Sequence, residues 1–367
     1  MTVVQPGVPI GVGRRSFLLL AGAGTLAVLS SCTDPLKPNP ISPEPVNRPV
    51  VIASSLSTPW SMARRSDGGT LVSERDTALV KLLSPEGTLE TFAKVPGVVP
   101  GGEGGLLGLE TLQEGGREWL YAYTSTRNDN RVLRFELGPD ELGEPQPILV
   151  GIPRATIHNG GRIKFGPDGL LYVGTGDATD SAAAQDPARL NGKILRLDPD
   201  GSIPVGNPFT GSPVYSFGHR NVQGLAWDSS RRFWVSELGP DKNDELNLVV
   251  PGGNYGWPHV TGAPHREEFI DAVHVWKSTA DASPSALAIV DGAAYVACLR
   301  GERLWRLGLP AGEPASRGTL PDASVVLRGQ GRLRDVLAVS DSELWIATNE
   351  GESSRIVSLS LPVRSPS

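Results

Sequence analysis

Only two cysteines, Cys32 and Cys298, occur in 367 residues. A pair so far apart excludes a disulfide-dense scaffold and any zinc-type cysteine spacing. Aromatic residues make up just 6%, and positive charge is not in excess: 34 Lys and Arg face 40 Asp and Glu, for a net charge of -6. Nucleic acid is thereby excluded as a partner, because phosphate binding needs a basic face. No apolar run reaches the ~20 residues that cross a bilayer. Helical apolar periodicity is missing too, and no glycine-rich phosphate motif follows a strand and opens a helix. NAD and ATP are therefore not expected; the Gly-x-x-Gly runs lie in β-turn context.

Glycine and proline, by contrast, are plentiful at 44 and 32 residues, and they are spread without a short period. That pattern favours many tight turns over collagen-like or disordered structure. At 39% hydrophobic, the chain buries a core easily, as one large all-β domain or two ordinary ones.

The first 32 residues carry an address. Arg14-Arg15 precede Ser-Phe-Leu and a short apolar run from Phe17 to Leu29, ending in Leu29-Ser30-Ser31-Cys32. A charged start before a short apolar run reads as an export signal of the twin-arginine kind. The last four residues resemble a bacterial lipobox, so Cys32 is expected to carry a lipid, the only membrane contact foreseen. Cys298 then has no partner for a disulfide and reads as a buried bystander in an apolar strand. Residues 33–49 hold six prolines and read as an extended spacer, with the folded domain at 50–362 and a tail at 363–367.

From residue 50 one pattern recurs: a short apolar strand, a turn often carrying Asp-Gly, an aromatic or aliphatic strand, then a strand rich in Arg and Leu. Anchors Leu71, Leu120, Tyr172, Trp234, Tyr295 and Trp345 lie 49, 52, 62, 61 and 50 residues apart. Repeats of this length with strand alternation indicate an all-β fold, a six-bladed β-propeller of four-stranded antiparallel blades. In a propeller the first strand of each blade lines the channel, so the residues just before it crowd around one mouth. That slot holds Ser57, Glu103, His158, Arg220, Ala282 and Arg332, with Arg334 two residues on. Ionisable groups from four blades thus converge at one concave rim, a candidate site.

Several segments resemble the soluble PQQ-dependent glucose and sorbosone dehydrogenases, where PQQ is pyrroloquinoline quinone. The pieces are Gly102-Glu-Gly-Gly-Leu-Leu-Gly-Leu, His158-Asn-Gly-Gly-Arg-Ile-Lys-Phe-Gly-Pro-Asp-Gly, Phe217-Gly-His-Arg-Asn-Val-Gln-Gly-Leu-Ala, Glu237-Leu-Gly-Pro-Asp-Lys-Asn-Asp-Glu-Leu-Asn and Gly252-Gly-Asn-Tyr-Gly-Trp-Pro. They span about Trp60 to Leu359 in order. The resemblance implies oxidation of an aldose or related alcohol by hydride transfer to calcium-bound PQQ, passing electrons to an acceptor the sequence does not identify. His158 matches the family's general base, a role that suits an imidazole; His219, inside a motif, reads as structural. PQQ is a polyanion and needs planar cations. The resemblance assigns Glu103, Arg220, Asn221, Arg300, Arg332 and Arg334 to it, with Arg300 standing where the family often has lysine. Calcium takes oxygen ligands: the carbonyls of Gly239 and Pro240 are implied for one ion, and Asp244, Glu245 and the Tyr255 carbonyl for a second. Where the family offers another acid for that second ion, this chain has His265.

Two departures bear on substrate. The glucose enzymes carry aspartate where this chain has Ile157, and glutamine where it has Glu103. Losing a designed polar contact alters selectivity, so glucose itself is not the expected sugar. Asp177, in Gly174-Thr-Gly-Asp, reads as a turn-stabilising side chain. Two other functions fit a propeller: a non-catalytic cell-surface module binding carbohydrate or protein, and a calcium-dependent lactonase. The first needs no His158, Arg220, Arg332 and Arg334 set, and the second calls for axial carboxylates and amides rather than His and Arg.

Overall fold

The computed structural model describes residues 48–312 and 317–362. The expected export signal, Cys32, the expected spacer up to residue 47 and the expected tail 363–367 lie outside the described residues. The described strands form six four-stranded antiparallel sheets. Beside them stand two single 3-10 turns, Ser181–Gln185 and Gly351–Ser353. No described helix is long and apolar enough to cross a membrane.

Five sheets are meanders of four consecutive strands. Blade 1 opens with Pro59–Arg64, blade 2 with Leu106–Glu114, blade 3 with Ile163–Phe165, blade 4 with Val222–Trp227 and blade 5 with Pro284–Val290. The sixth is built differently. Leu333–Ser340, Glu343–Thr348 and Ser354–Ser360 supply three strands, and the fourth is Val50–Leu56 from the other end of the domain. Val51 faces Val357 and Leu56 faces Ser354 across that antiparallel seam. The opening strands touch one another in sequence, and Leu333–Ser340 touches Pro59–Arg64, so the sheets form a ring. Closure matters because an open sheet edge invites pairing with other chains.

All six repeat anchors fall on the second strand of their blades. Five of their side chains are core and the sixth, Trp345, is partly buried against it, because alternation points them between neighbouring sheets. Between blades 3 and 4, Tyr172 meets the rings of Trp227 and Phe233 edge-on at 4.9 and 5.0 Å. Each such pair contributes about 0.5–1.5 kcal/mol beyond its burial. The turns after the first strands repeat one device: Asp67, Asp168 and Asp228 each accept the N–H two residues on, at 2.9, 3.2 and 3.0 Å. That is why Asp recurs there. Cys298 is free and buried.

The same periodicity builds the mouth. In blades 1 and 4 the second strand ends in a glutamate, in blade 6 a glutamate follows two residues after it, and each accepts the N–H of a residue just before the first strand. Ser57 donates to Glu74 at 2.8 Å, Arg332 to Glu350 at 2.7 Å, and Arg220 to Glu237. The slot that the sequence singled out is thus a hydrogen-bonded frame.

Candidate active site

His158 sits at the mouth of blade 3, largely enclosed, in a left-handed conformation with φ 59°. Its Nδ1 lies 2.8 Å from Asp177 Oδ1, and its Nε2 lies 2.9 Å from Arg220 Nη2. A guanidinium only donates, so Nε2 carries the lone pair and Nδ1 the proton. The imidazole is therefore neutral, with its basic nitrogen on the Arg220 side. Asp177 is more than the turn-stabilising group its motif suggested. Its Oδ1 also accepts the Thr179 N–H at 2.9 Å, and Oδ2 accepts Trp257 Nε1–H at 2.8 Å. These bonds hold its carboxyl below the usual carboxylate range despite burial. Sequence reasoning passed over Trp257 and ranked Asp177 as a turn residue rather than a site residue. The available signal was that Asp177 follows the second strand of its blade by three residues, near the rim where Glu74 and Glu237 end theirs.

Arg220 reaches Leu238 carbonyl with Nη1 at 3.1 Å and stacks over Trp257, 5.4 Å from the ring centre. Burial pushes its guanidinium down, and its Nε is buried without a partner. Arg334, from blade 6, is more deeply buried. Its Nη1 meets only neutral acceptors, Gln223 Oε1 at 2.8 Å and Ser285 Oγ at 3.4 Å, and its Nε has none. Burial, with Arg75, Arg162 and Arg332 nearby, pushes it down to about 9. Arg162 differs: it pairs with Asp335 at 3.0 Å. Trp60 stands between the guanidiniums of Arg162 and Arg334, 4.3 and 5.8 Å from its ring centre. Arg75, paired with Asp76 at 2.7 Å, was another cation the sequence reading passed over.

The remaining expected residues divide. Glu103 comes to the site, accepting the His158 N–H at 2.6 Å. Asn221 is buried and accepts the Gly160 N–H at 3.0 Å, bracing the His158 loop. Arg332 is half-buried and, among the described residues, has no ion pair. Arg300 is exposed and donates to Thr279 Oγ1 at 2.9 Å, beside the loop that holds Gly239 and Pro240. His219 is fully buried, between Ser216 Oγ at 2.8 Å and Glu237 Oε2 at 2.8 Å, and stacks on Tyr255. That connectivity mimics a hydrolytic triad, but Ser216 is fully buried and offers no room for an ester.

Among the described residues no three His, Cys, Asp or Glu side chains converge as a metal cluster. An oxygen site made largely of carbonyls is a different matter. The carbonyls of Gly239 and Pro240 accept no hydrogen bond among the described residues. Asp244 is turned to the backbone, accepting from Gly239 N–H at 2.9 Å and Ser283 N–H at 2.7 Å. Glu245 accepts from Asn247 at 3.0 Å and from the Gly262 N–H. It shares a small closed pocket with Glu237, Gly239 and Tyr255. Burial, then the Glu237 charge, pushes Glu245 up to about 8. His265 is exposed and pairs with Asp271 at 2.6 Å.

A closed six-bladed ring with the His158–Asp177 pair and buried guanidiniums at its mouth defines the class: a six-bladed propeller with a polar, cationic mouth. Residues 56–358 match the glucose / sorbosone dehydrogenase family model. The chain belongs to that family. It is 32% identical over 287 residues to quinoprotein glucose dehydrogenase B of Acinetobacter calcoaceticus, covering 67% of this chain and 60% of that protein. The match to aldose sugar dehydrogenase YliI of Escherichia coli is 31% identical, over 58% of this chain and 62% of that protein. The chain thus spans about three fifths of the length of these two relatives. A solved structure of the PQQ-bound aldose sugar dehydrogenase of Streptomyces coelicolor is 44% identical, with a TM-score of 0.80, over 84% of this chain and 96% of that one.

Proposed function

We propose that the protein is a PQQ-dependent dehydrogenase that oxidises an aldose or a related alcohol or hemiacetal. The observation that carries this reading is Arg334: a buried guanidinium with neutral partners only and an orphaned Nε. Glu103 is the one opposite charge acting on it, and it makes no ion pair with it; burying a charge without a bonded counter-ion is costly, and a bound polyanion removes the cost. Arg220 repeats the feature with a second orphaned Nε at the His158 nitrogen. Arg220, Arg332 and Arg334 would hold the carboxylates. The open carbonyls of Gly239 and Pro240 suit a calcium ion, and the Glu237–Glu245 pocket suits a second.

His158 then works as the general base. The substrate hydroxyl takes the place of the Arg220 guanidinium at Nε2 and passes its proton there. Asp177 holds Nδ1–H, keeping that tautomer and stabilising the imidazolium that forms. Bound PQQ supplies the acceptor for the hydride leaving the same carbon. Arg220, freed from Nε2, stays beside the reacting oxygen as a cation. The twin-arginine pattern and Cys32 lipobox support export and lipid anchoring at the cell envelope, a reading carried by those residues alone.

The test is reconstitution. The protein is loaded with PQQ and calcium and screened over aldoses with a dye acceptor. Cofactor absorbance at unit stoichiometry and dye reduction are expected. Absence of both across the panel ends the enzyme reading and leaves a non-catalytic binding module.

A further inference from the structure

Glu103 occupies in blade 2 the place that His158 occupies in blade 3, and it reaches across to it. Its Oε2 accepts the His158 N–H at 2.6 Å, and its own N–H donates to the Thr156 carbonyl at 2.8 Å. A Cβ on Gly102 would stand 2.1 Å from that same carbonyl, so segments 102–103 and 156–158 are interlocked. His158 needs the lock. At φ 59° it is left-handed, a conformation costing an L-residue about 1–2 kcal/mol. Such conformations persist where the surroundings over-determine them. Here the His158 carbonyl accepts the Ala178 N–H at 3.1 Å, Asp177 holds the ring, and Glu103 holds the N–H.

Among the described residues the Glu103 carboxylate makes no ion pair and no other hydrogen bond; its charge is felt by Arg220 and Arg334, but its one direct bond is to the His158 main chain. Its charge also opposes direct contact with an anionic cofactor. We propose that Glu103 is the positioning residue of the general base, not a cofactor ligand: it keeps the His158 backbone left-handed so that the imidazole spans Asp177 and Arg220. This inference rests on His158 being the base of the proposed dehydrogenase.

The test compares E103A and E103Q in the full chain. Three readouts are needed: PQQ affinity by titration of the apoprotein, kcat against KM, and amide hydrogen exchange over residues 156–160 without cofactor. E103A is expected to lower kcat by about 10–100-fold, since small misplacements of reacting groups have effects of that size. Its KM and PQQ affinity should stay within about twofold, and His158 amide exchange should quicken at least tenfold, in line with loss of a hydrogen bond to a charged group. E103Q, whose amide oxygen still accepts that N–H, is expected to recover both kcat and protection to within about threefold, a margin of under 1 kcal/mol. Tenfold weaker PQQ binding with unchanged exchange would overturn the proposal and make Glu103 a cofactor ligand. Equal damage from E103Q and E103A would also overturn it. Should E103A not fold, E103S takes its place, being too short to reach the N–H. The exchange readout needs no turnover, so it decides the role of Glu103 even if the dye assay rejects the dehydrogenase reading.

Discussion

Replacing Arg334 by Met separates the two things that this guanidinium does. Its fall from the ordinary arginine range to about 9 corresponds to roughly 5 kcal/mol acting against the charged form in the folded protein. Arginine does not give up its proton in proteins, so the apoprotein carries this as destabilisation throughout the neutral range. Methionine removes the charge in a similar volume. It also removes the bonds to Gln223 and Ser285, which returns about 1–3 kcal/mol of loss. The net is an apoprotein more stable by about 2–4 kcal/mol, or a Tm higher by about 4–8 °C at the scale of large domains. PQQ affinity moves the other way. Loss of a charge-assisted contact worth about 1.5–3 kcal/mol weakens it about 10–150-fold. Calorimetry of the apoprotein and a PQQ titration measure both. A Tm lower by several degrees together with unchanged PQQ affinity would refute the reasoning, because Arg334 would then be a structural cation rather than an anion receptor.

Asp177→Asn keeps the shape beside His158 but no longer favours Nδ1–H and cannot stabilise the imidazolium. A kcat loss of about 10²–10⁴-fold with PQQ affinity within twofold is expected in steady-state and titration assays. Lys193 is buried, with Nζ donating to the carbonyls of Ala183, Ala184 and Asn191, and burial pushes it down to about 7. Its folded value lies below the unfolded 10.5, so the unfolded chain binds more protons between pH 7 and 10.5, and this group's contribution to stability rises with pH over that window. Urea unfolding at pH 7, 8 and 9 should show this rise. Lys193→Met should abolish it.

Much of this was legible in the chain itself. Alternating apolar residues and Asp-Gly turns at intervals of 49–62 residues dictate antiparallel blades, since period-two patterns bury only as sheets. The spacing also placed Glu103, His158, Arg220 and Arg332 on one rim, because the slot before each first strand is a local property of the repeat. What lay outside local pattern was decided in three dimensions. The Val50–Leu56 strand completes the last blade across the whole domain, a pairing that no neighbouring residue signals. Asp177 becomes the partner of His158 through a left-handed loop, and Arg334 becomes a buried cation bonded to neutral groups only because Gln223, Ser285 and Trp60, from other blades, surround it. Sequence sets which residues reach the mouth, because strand periodicity is local. Tertiary structure sets their charge state and partners, because burial and hydrogen bonding depend on what distant blades bring to the same place.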